Sequence, residues 1–441
     1  MRIPKIAPAG REAKSLEDRG LVEIVREFEV VTPIFGGGVH VDDREDQRHV
    51  KKIDEITPVR PAAVRGQLRF WWRLCTELEG EARRNREMEI WGEASKPGLT
   101  SLTIEAPAGV VPKAVQVFKW EERNGKWNRI ATGGRGVAYG AFSLQGGAKL
   151  PPRSPLGTLW EVKGIFRLRA VTSRDFKSQV EAAIDAWLAF GGVGGRTRRG
   201  FGAIARTDRK DRDIVPPAFE DCKWSSKTPG MKTASDALEY GLKLLKAFRQ
   251  GVGFARNPGR KDKPGRSLWP EADTLRHKVT GQMHDDHKAR TTRVDGFPRA
   301  RFGMPIIFQF PGTGDMKKTG RRNLDPQPTT LVPVLRGKVM ERLASPVFIR
   351  PIRLPPQPNG EPNWQVAVLV LRSGYDPKLA VRIKEFPGVR SEDIPVRVAD
   401  SADQIKPLAA CAEKNALDAL LEVVRKPSLL QDPDLLNGAK P

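Results

Sequence analysis

The run Phe190-Gly-Gly-Val-Gly-Gly-Arg-Thr-Arg-Arg-Gly-Phe-Gly202 sets Arg196, Arg198 and Arg199 among glycines. Glycine admits φ > 0 and lets a backbone approach a ligand closely. Successive N–H groups in such a turn can form an anion-binding concavity, and each guanidinium offers a planar fork that matches a phosphate bidentately. The chemistry suggested is grip on a polyanion by Gly192, Gly194, Gly195 and the three arginines. No Gly-Lys-Ser/Thr ending marks a P-loop, and no helix pattern follows as a dinucleotide fingerprint requires. The competing reading is a plain helix-to-strand connector with solvated arginines.

A second basic set lies upstream. On a helix starting near Pro61, Arg65, Arg69 and Arg73 fall at i, i+4, i+8 and line one face, while Leu68, Phe70, Trp71, Leu74, Cys75 and Leu78 form an apolar arc. Trp72 falls on the basic side. It is either a stacking surface for a base or ribose, or a half-buried ring covered by an arginine stem. The free N–H groups behind Pro61, near Arg65-Gly66, offer another phosphate seat. Asp42, Asp43 and Asp46 share a polar loop with His40 and His49. The histidines could act on a ribose 2′-hydroxyl as general base or acid, and the aspartates could equally be solvated or pair with Arg44 and Arg48. His284-x-x-His287, near His277, Asp285 and Asp286, has helical metal-ligand spacing, with a solvated charged loop as the alternative.

These residues need elements to hold them. Leu21–Thr32 has strand composition and ends at Pro33 and the glycines Gly36, Gly37 and Gly38. The helix from Pro61 is expected to run through Leu78 and on toward Arg86. Short strands are expected at Leu102–Ala106 and Val115–Trp120, a hairpin or insertion at Lys126–Pro155, and a strand at Gly164–Val171. Val180, Ile184, Trp187 and Leu188 predict a helix over Phe176–Phe190, and Phe201–Arg206 reads as the closing strand. The order strand–helix–strand, strand–helix–strand suits an α+β, ferredoxin-like (RRM-like) fold with insertions. A proline-rich boundary at Pro216–Pro229 divides the chain into 1–215 and 216–441. The second half carries an amphipathic helix at Ala234–Arg249, strands near Met304–Phe310, Pro346–Ile352 and Val366–Leu371, and a helix at Ala412–Val424. It could hold a second unit of the same kind.

Composition narrows the partners. Across 441 residues, 76 Lys+Arg against 53 Asp+Glu leave a net charge of +23, enough to attract nucleic acid without specificity. No stretch has the length and apolarity of a membrane span, and the charged first twenty residues resemble neither signal peptide nor anchor. Cys75, Cys222 and Cys411 lie far apart and make no metal or disulfide framework, which points to a reducing cytoplasm.

Taken together, Thr32-Pro-Ile-Phe-Gly-Gly-Gly38, Arg60, Arg65-Gly-Gln-Leu-Arg-Phe-Trp-Trp-Arg73, Ile90-Trp-Gly92 and the loop at 190–202 resemble the RAMP superfamily of CRISPR proteins. The arginine–tryptophan run is most similar to the first RAMP subunit of the type III-B (Cmr) effector. Arg301-Phe-Gly-Met-Pro305 and Leu343-Ala-Ser-Pro346 with Arg350-Pro351 are similar to segments of that family's second domain. The resemblance implies two ferredoxin-like domains in a non-catalytic RNA-binding subunit of a ribonucleoprotein. Its partners would be the guide RNA toward its 3′ end, the target RNA, and other RAMP subunits, with no cofactor. RNA contact would fall on Gly36–Gly38, Arg60, Arg65, Arg69, Arg73, Arg196, Arg198, Arg199 and the loop glycines. Target cutting in the family belongs to backbone subunits with an aspartate in the loop after the first strand, where this chain has Asp42, Asp43 and Asp46. The rival within the superfamily is an endoribonuclease that processes precursor guide RNA, but its glycine-rich loop lies near the C-terminus. On the sequence alone, replacing Arg196, Arg198 and Arg199 together with Ala is expected to weaken RNA binding across sequences. The salt dependence of binding, measured by titration, should flatten by about one slope unit for each phosphate that the variant can no longer hold.

Overall fold

The computed structural model describes residues 15–36, 53–147, 149–207, 223–225, 230–259, 265–280, 295–310, 326, 328–384, 394–396, 399–432 and 435. In the first half, β1 (Leu21–Val30) is followed by α1 (Pro61–Cys75), α2 (Gly80–Trp91) and β2 (Ser101–Glu105). An inserted layer comes next: β3 (Lys113–Gln116), β4 (Phe118–Arg123), β5 (Lys126–Ala131), α3 (Arg135–Gly140) and β6 (Thr158–Glu161). Then β7 (Ile165–Ser173), α4 (Lys177–Phe190) and β8 (Ile204–Arg206) complete the unit. The main sheet has the order β2-β7-β1-β8, and each neighbouring pair is antiparallel.

The alternation of β7 explains its two faces. Phe166, Leu168 and Ala170 point inward with Ile24 and Phe28 of β1, and Phe28 stacks on Phe166 and meets Trp187 of α4 edge-on. The opposite face is a lattice of ion pairs, Arg167 with Glu27 and Glu105, and Arg169 with Glu23.

The second half repeats the order. β9 (Lys223–Ser225) precedes α5 (Ala234–Gln250); after α6 (Glu271–Thr280), β10 (Ile306–Phe308), β11 (Thr329–Leu335) and β12 (Lys338–Val339) come β13 (Val347–Leu354) and β14 (Asn363–Val370). The remaining described elements include β15 (Leu379–Lys384), β16 (Ile394–Pro395), α7 (Lys406–Cys411) and α8 (Ala416–Arg425). The sheet β13-β14-β9 matches β2-β7-β1 of the first half in order and in antiparallel sense, and α5 and α8 take the places of α1 and α4. β10, β11, β12, β15 and β16 form a separate antiparallel sheet with its own core around Leu275, Phe297 and Val381.

The two halves share a core. Phe348, Ile352, Ala367 and Leu369 pack with α1, α4 and the first sheet, while Val347, Ile349, Val366 and Val368 pack with α5 and α8. β13 and β14 are therefore buried on both faces, which is why their sequences run apolar rather than alternating. The layers stack as sheet, helices, sheet, helices.

One sequence expectation changes. The first helix does not reach Leu78 or Arg86: it stops at Cys75, where the Thr76 N–H closes on the Trp72 carbonyl, and a separate helix restarts at Gly80. Most of the expected boundary at 216–229, with Cys222, lies outside the described residues.

Arg350 of β13 is 1% exposed at the junction. It donates to the carbonyls of Leu188, at 2.9 Å, and Ile204 in the first half. Arg350→Met would leave two buried carbonyls unpaired, so a loss of about 2–5 kcal/mol is expected, read as a lower urea midpoint.

Candidate nucleic-acid interface

The glycine–arginine loop is held by its own backbone. Val193 N–H donates to the Gly202 carbonyl at 2.8 Å, Gly195 N–H to Phe35 at 2.9 Å, and Gly202 N–H to Pro33 at 2.9 Å. The Thr32 hydroxyl donates to the Gly200 carbonyl at 2.6 Å and accepts from Ala203 N–H at 2.8 Å. Gly202 is obligatory: at φ +59°, a Cβ there would sit 2.0 Å from the Val193 carbonyl oxygen. Of the glycines expected to cradle an anion, Gly195 spends its N–H on closing the loop onto the end of β1.

The arginines follow the same logic. Arg196, held at φ +54°, donates to the Gly140 carbonyl at 2.7 Å and to the Ser143 hydroxyl at 3.1 Å. Its guanidinium stands over the Phe35 ring. Arg198 reaches the Ser345 carbonyl of the second half and stands over the neighbouring rings of Phe70 and Phe348. Burial lowers the pKa of both. Arg199 is driven further, to about 10, by burial and then by the charges of Arg249, Arg196 and Arg198, and its Nη1 is buried without a hydrogen-bond partner among the described residues. It remains charged at neutral pH. Through Arg196 and Arg198 the loop ties the inserted layer to the second half.

The arginine stripe on α1 also finds protein partners. Arg65 donates to the Trp91 carbonyl at 3.1 Å. Arg69 donates to Glu87 at 2.6 Å and to the Gly92 carbonyl at 3.1 Å. Arg73 makes two bonds to Glu87, each 2.6 Å. The stripe clamps α2, a helix with little apolar surface of its own. Trp72 is corrected outright: it is 1% exposed, with its Nε1–H on Gln179 of α4 at 3.3 Å, so its ring is core and not a stacking platform.

Arg60 is the N-cap residue of α1, where no side chain caps the helix. It contributes its charge to Asp54, whose carboxyl is held low chiefly by hydrogen bonds from Thr57. Gly36 takes φ +63°. Gly37, Gly38, His40, Asp42, Asp43, Asp46, His49, His284, Asp285, Asp286 and His287 lie outside the described residues. His277 Nδ1 stands 3.4 Å from Asp295. Among the described residues, no cluster of three or more His, Cys, Asp or Glu side chains could hold a metal, and no helix is long and apolar enough to cross a membrane.

Sequence reasoning missed Glu87, because a glutamate on a polar helix carries no signal until α2 folds back onto α1. At 7% exposure, burial alone would push its carboxyl pKa up. The hydrogen bonds and charges of Arg73 and Arg69 outweigh that and hold it below the ordinary 4.5. A carboxyl depressed on folding stabilises above its unfolded pKa, and that contribution disappears as pH falls through the folded value. Glu87→Gln should therefore cost about 1–3 kcal/mol at pH 7. The gap in melting temperature between wild type and variant should narrow as pH falls below 4.5.

Residues 27–205 match the model of the RAMP superfamily. The chain is similar to a solved structure of Cmr1 from Pyrococcus furiosus, at 12% identity, covering 85% of this chain and 93% of that one with a TM-score of 0.40. It is also similar to a chain of the type III-B Cmr-beta complex bound to cognate target RNA, at 17% identity over 44% of this chain and 61% of that one, TM-score 0.27. A third likeness is to Cmr6 from Pyrococcus furiosus, at 13% identity over 43% and 98%, TM-score 0.23. No curated protein matches the sequence.

Proposed function

We propose that this RAMP-superfamily protein is a non-catalytic, RNA-binding subunit of a type III-B CRISPR effector, in contact with guide RNA and the guide–target duplex beside other RAMP subunits. The supporting observation is the RAMP match over residues 27–205 in a chain of net charge +23. On this reading the two units are ferredoxin-like domains, 1–215 and 216–441, and sequence is read by guide–target pairing while the protein holds backbone.

The geometry redistributes the expected contacts. The sheet face that RRM-like domains use for stacking carries acid–base pairs here, so affinity comes from phosphate contacts and not from base stacking. Arg196, exposed at the loop's tip, and Arg60, beside the amino end of α1, are proposed to touch RNA, together with the segment leading from Gly36 into Gly37 and Gly38. Arg73 keeps 47% of its side chain exposed and joins them. Arg65, Arg69, Arg198 and Arg199 act by holding that surface in place. Alanine at Arg198 or Arg199 would therefore disturb the fold as well as any binding, which separates these two from Arg196 in a mutational series.

Binding of the purified protein to single-stranded RNA, titrated against salt, tests the reading. Affinity should fall steeply with salt, and Arg60→Ala and Arg196→Ala should each reduce the slope by about 0.7. Binding indifferent to salt would overturn the proposal, and metal-free cleavage of repeat RNA by the protein would move it to the processing nucleases.

A further inference from the structure

The groove between α1 and α2 encloses about 480 Å³ and is lined by Arg69, Arg73, Arg83, Arg84, Glu87 and Glu93. Gly80, Arg83, Arg84 and Glu87 recur at i, i+3, i+4, i+7 and share one face of α2. That face looks across at Arg69 and Arg73 of α1. Glu87 forms the floor and is fully engaged by Arg69 and Arg73. Arg83 and Arg84 are different: neither side chain makes a hydrogen bond or ion pair among the described residues.

Their position is also unfavourable for the helix alone. They stand one turn from the amino end of α2, where the macrodipole disfavours cations, and no side chain caps that end. Four guanidinium groups against two carboxylates leave the groove net positive, with Glu93 the one carboxylate not committed to the clamp. The lining holds no aromatic ring, so nothing in it would stack a base.

We infer that this groove is a second, sequence-independent phosphate site, in which Arg83 and Arg84 grip the RNA backbone while the Glu87 clamp holds the opposite wall. The inference rests on the RNA-binding reading and adds residues that the sequence motifs do not include. Guanidinium forks suit a phosphodiester, and the i, i+1 pair on α2 can meet adjacent oxygens or neighbouring phosphates.

The test uses the full-length chain and an unstructured 20-nucleotide single-stranded RNA, titrated over a salt series. The Arg83→Ala/Arg84→Ala variant should lower the slope of log affinity against log salt by about 1.4, two phosphates at about 0.7 each. At low salt it should bind on the order of tenfold more weakly. A charge-matched variant, Lys119→Ala/Arg123→Ala on the β4–β5 hairpin, should weaken less. If wild type binds with a steep slope and Arg83→Ala/Arg84→Ala binds equally well, the groove is not a site and the RNA-binding reading stands. An equal weakening in both double variants assigns the effect to net charge and also overturns the site. If wild type shows no salt-dependent binding, the functional reading fails and the groove fails with it. Should the double variant melt early, Arg84→Ala alone, at an exposed position, carries the same comparison with a slope change of about 0.7.

Discussion

The helices α1 and α4 are packed between two sheets. One side closes the first sheet through Phe28, Phe166 and Trp187; the other receives Phe348, Ile352 and Leu369 from the second. That constraint fixes the rest. A sheet buried on both faces cannot leave, because removal would expose two apolar surfaces at once. It also carries Arg350, which donates to the Leu188 carbonyl of α4 and the Ile204 carbonyl of β8 in the first half. The Arg353–Glu29 ion pair adds a second polar tie across the same junction.

The glycine–arginine loop is shaped by this packing. It leaves α4 at the point where the inserted layer meets the second half. Arg196 takes the Gly140 carbonyl of the first and Arg198 the Ser345 carbonyl of the second, while Arg199 is buried behind them. The glycines let backbone approach backbone here, with Thr32 joining two strands through one hydroxyl. α5 plays the matching role from the other side. Its Glu239 accepts the N–H groups of Gly136 and Val137 at 2.8 and 2.7 Å and so caps α3 of the inserted layer. A residue pattern suited to phosphate therefore serves here as an internal joint.

Much of the architecture was legible in the sequence. The alternation of Gly164–Val171, the helical spacing of Val180, Ile184 and Trp187, and the apolar runs at Pro346–Ile352 and Val366–Leu371 each place an element, because burial periodicity is a local property. The break between α1 and α2 was harder to see. Thr76–Glu79 contains no proline or strong stop, and the chain turns there because Arg69 and Arg73 gain Glu87 only when α2 folds back.

The sequence by itself determined the elements, their order, the excess of positive charge and the motif positions that carry the RAMP resemblance, since each depends on residue type and near neighbours. Tertiary structure alone decided which way each charged or aromatic group faces. Trp72 lies on the basic side of a helical wheel, yet it is core, because α4 covers that side. Arg83 and Arg84 carry no motif, yet they line a groove with Arg69 and Arg73, whose charges Glu87 takes up. The reason is physical: a guanidinium or an indole takes its role from the partner within hydrogen-bonding distance, and those partners lie 14 to 162 residues away along the chain.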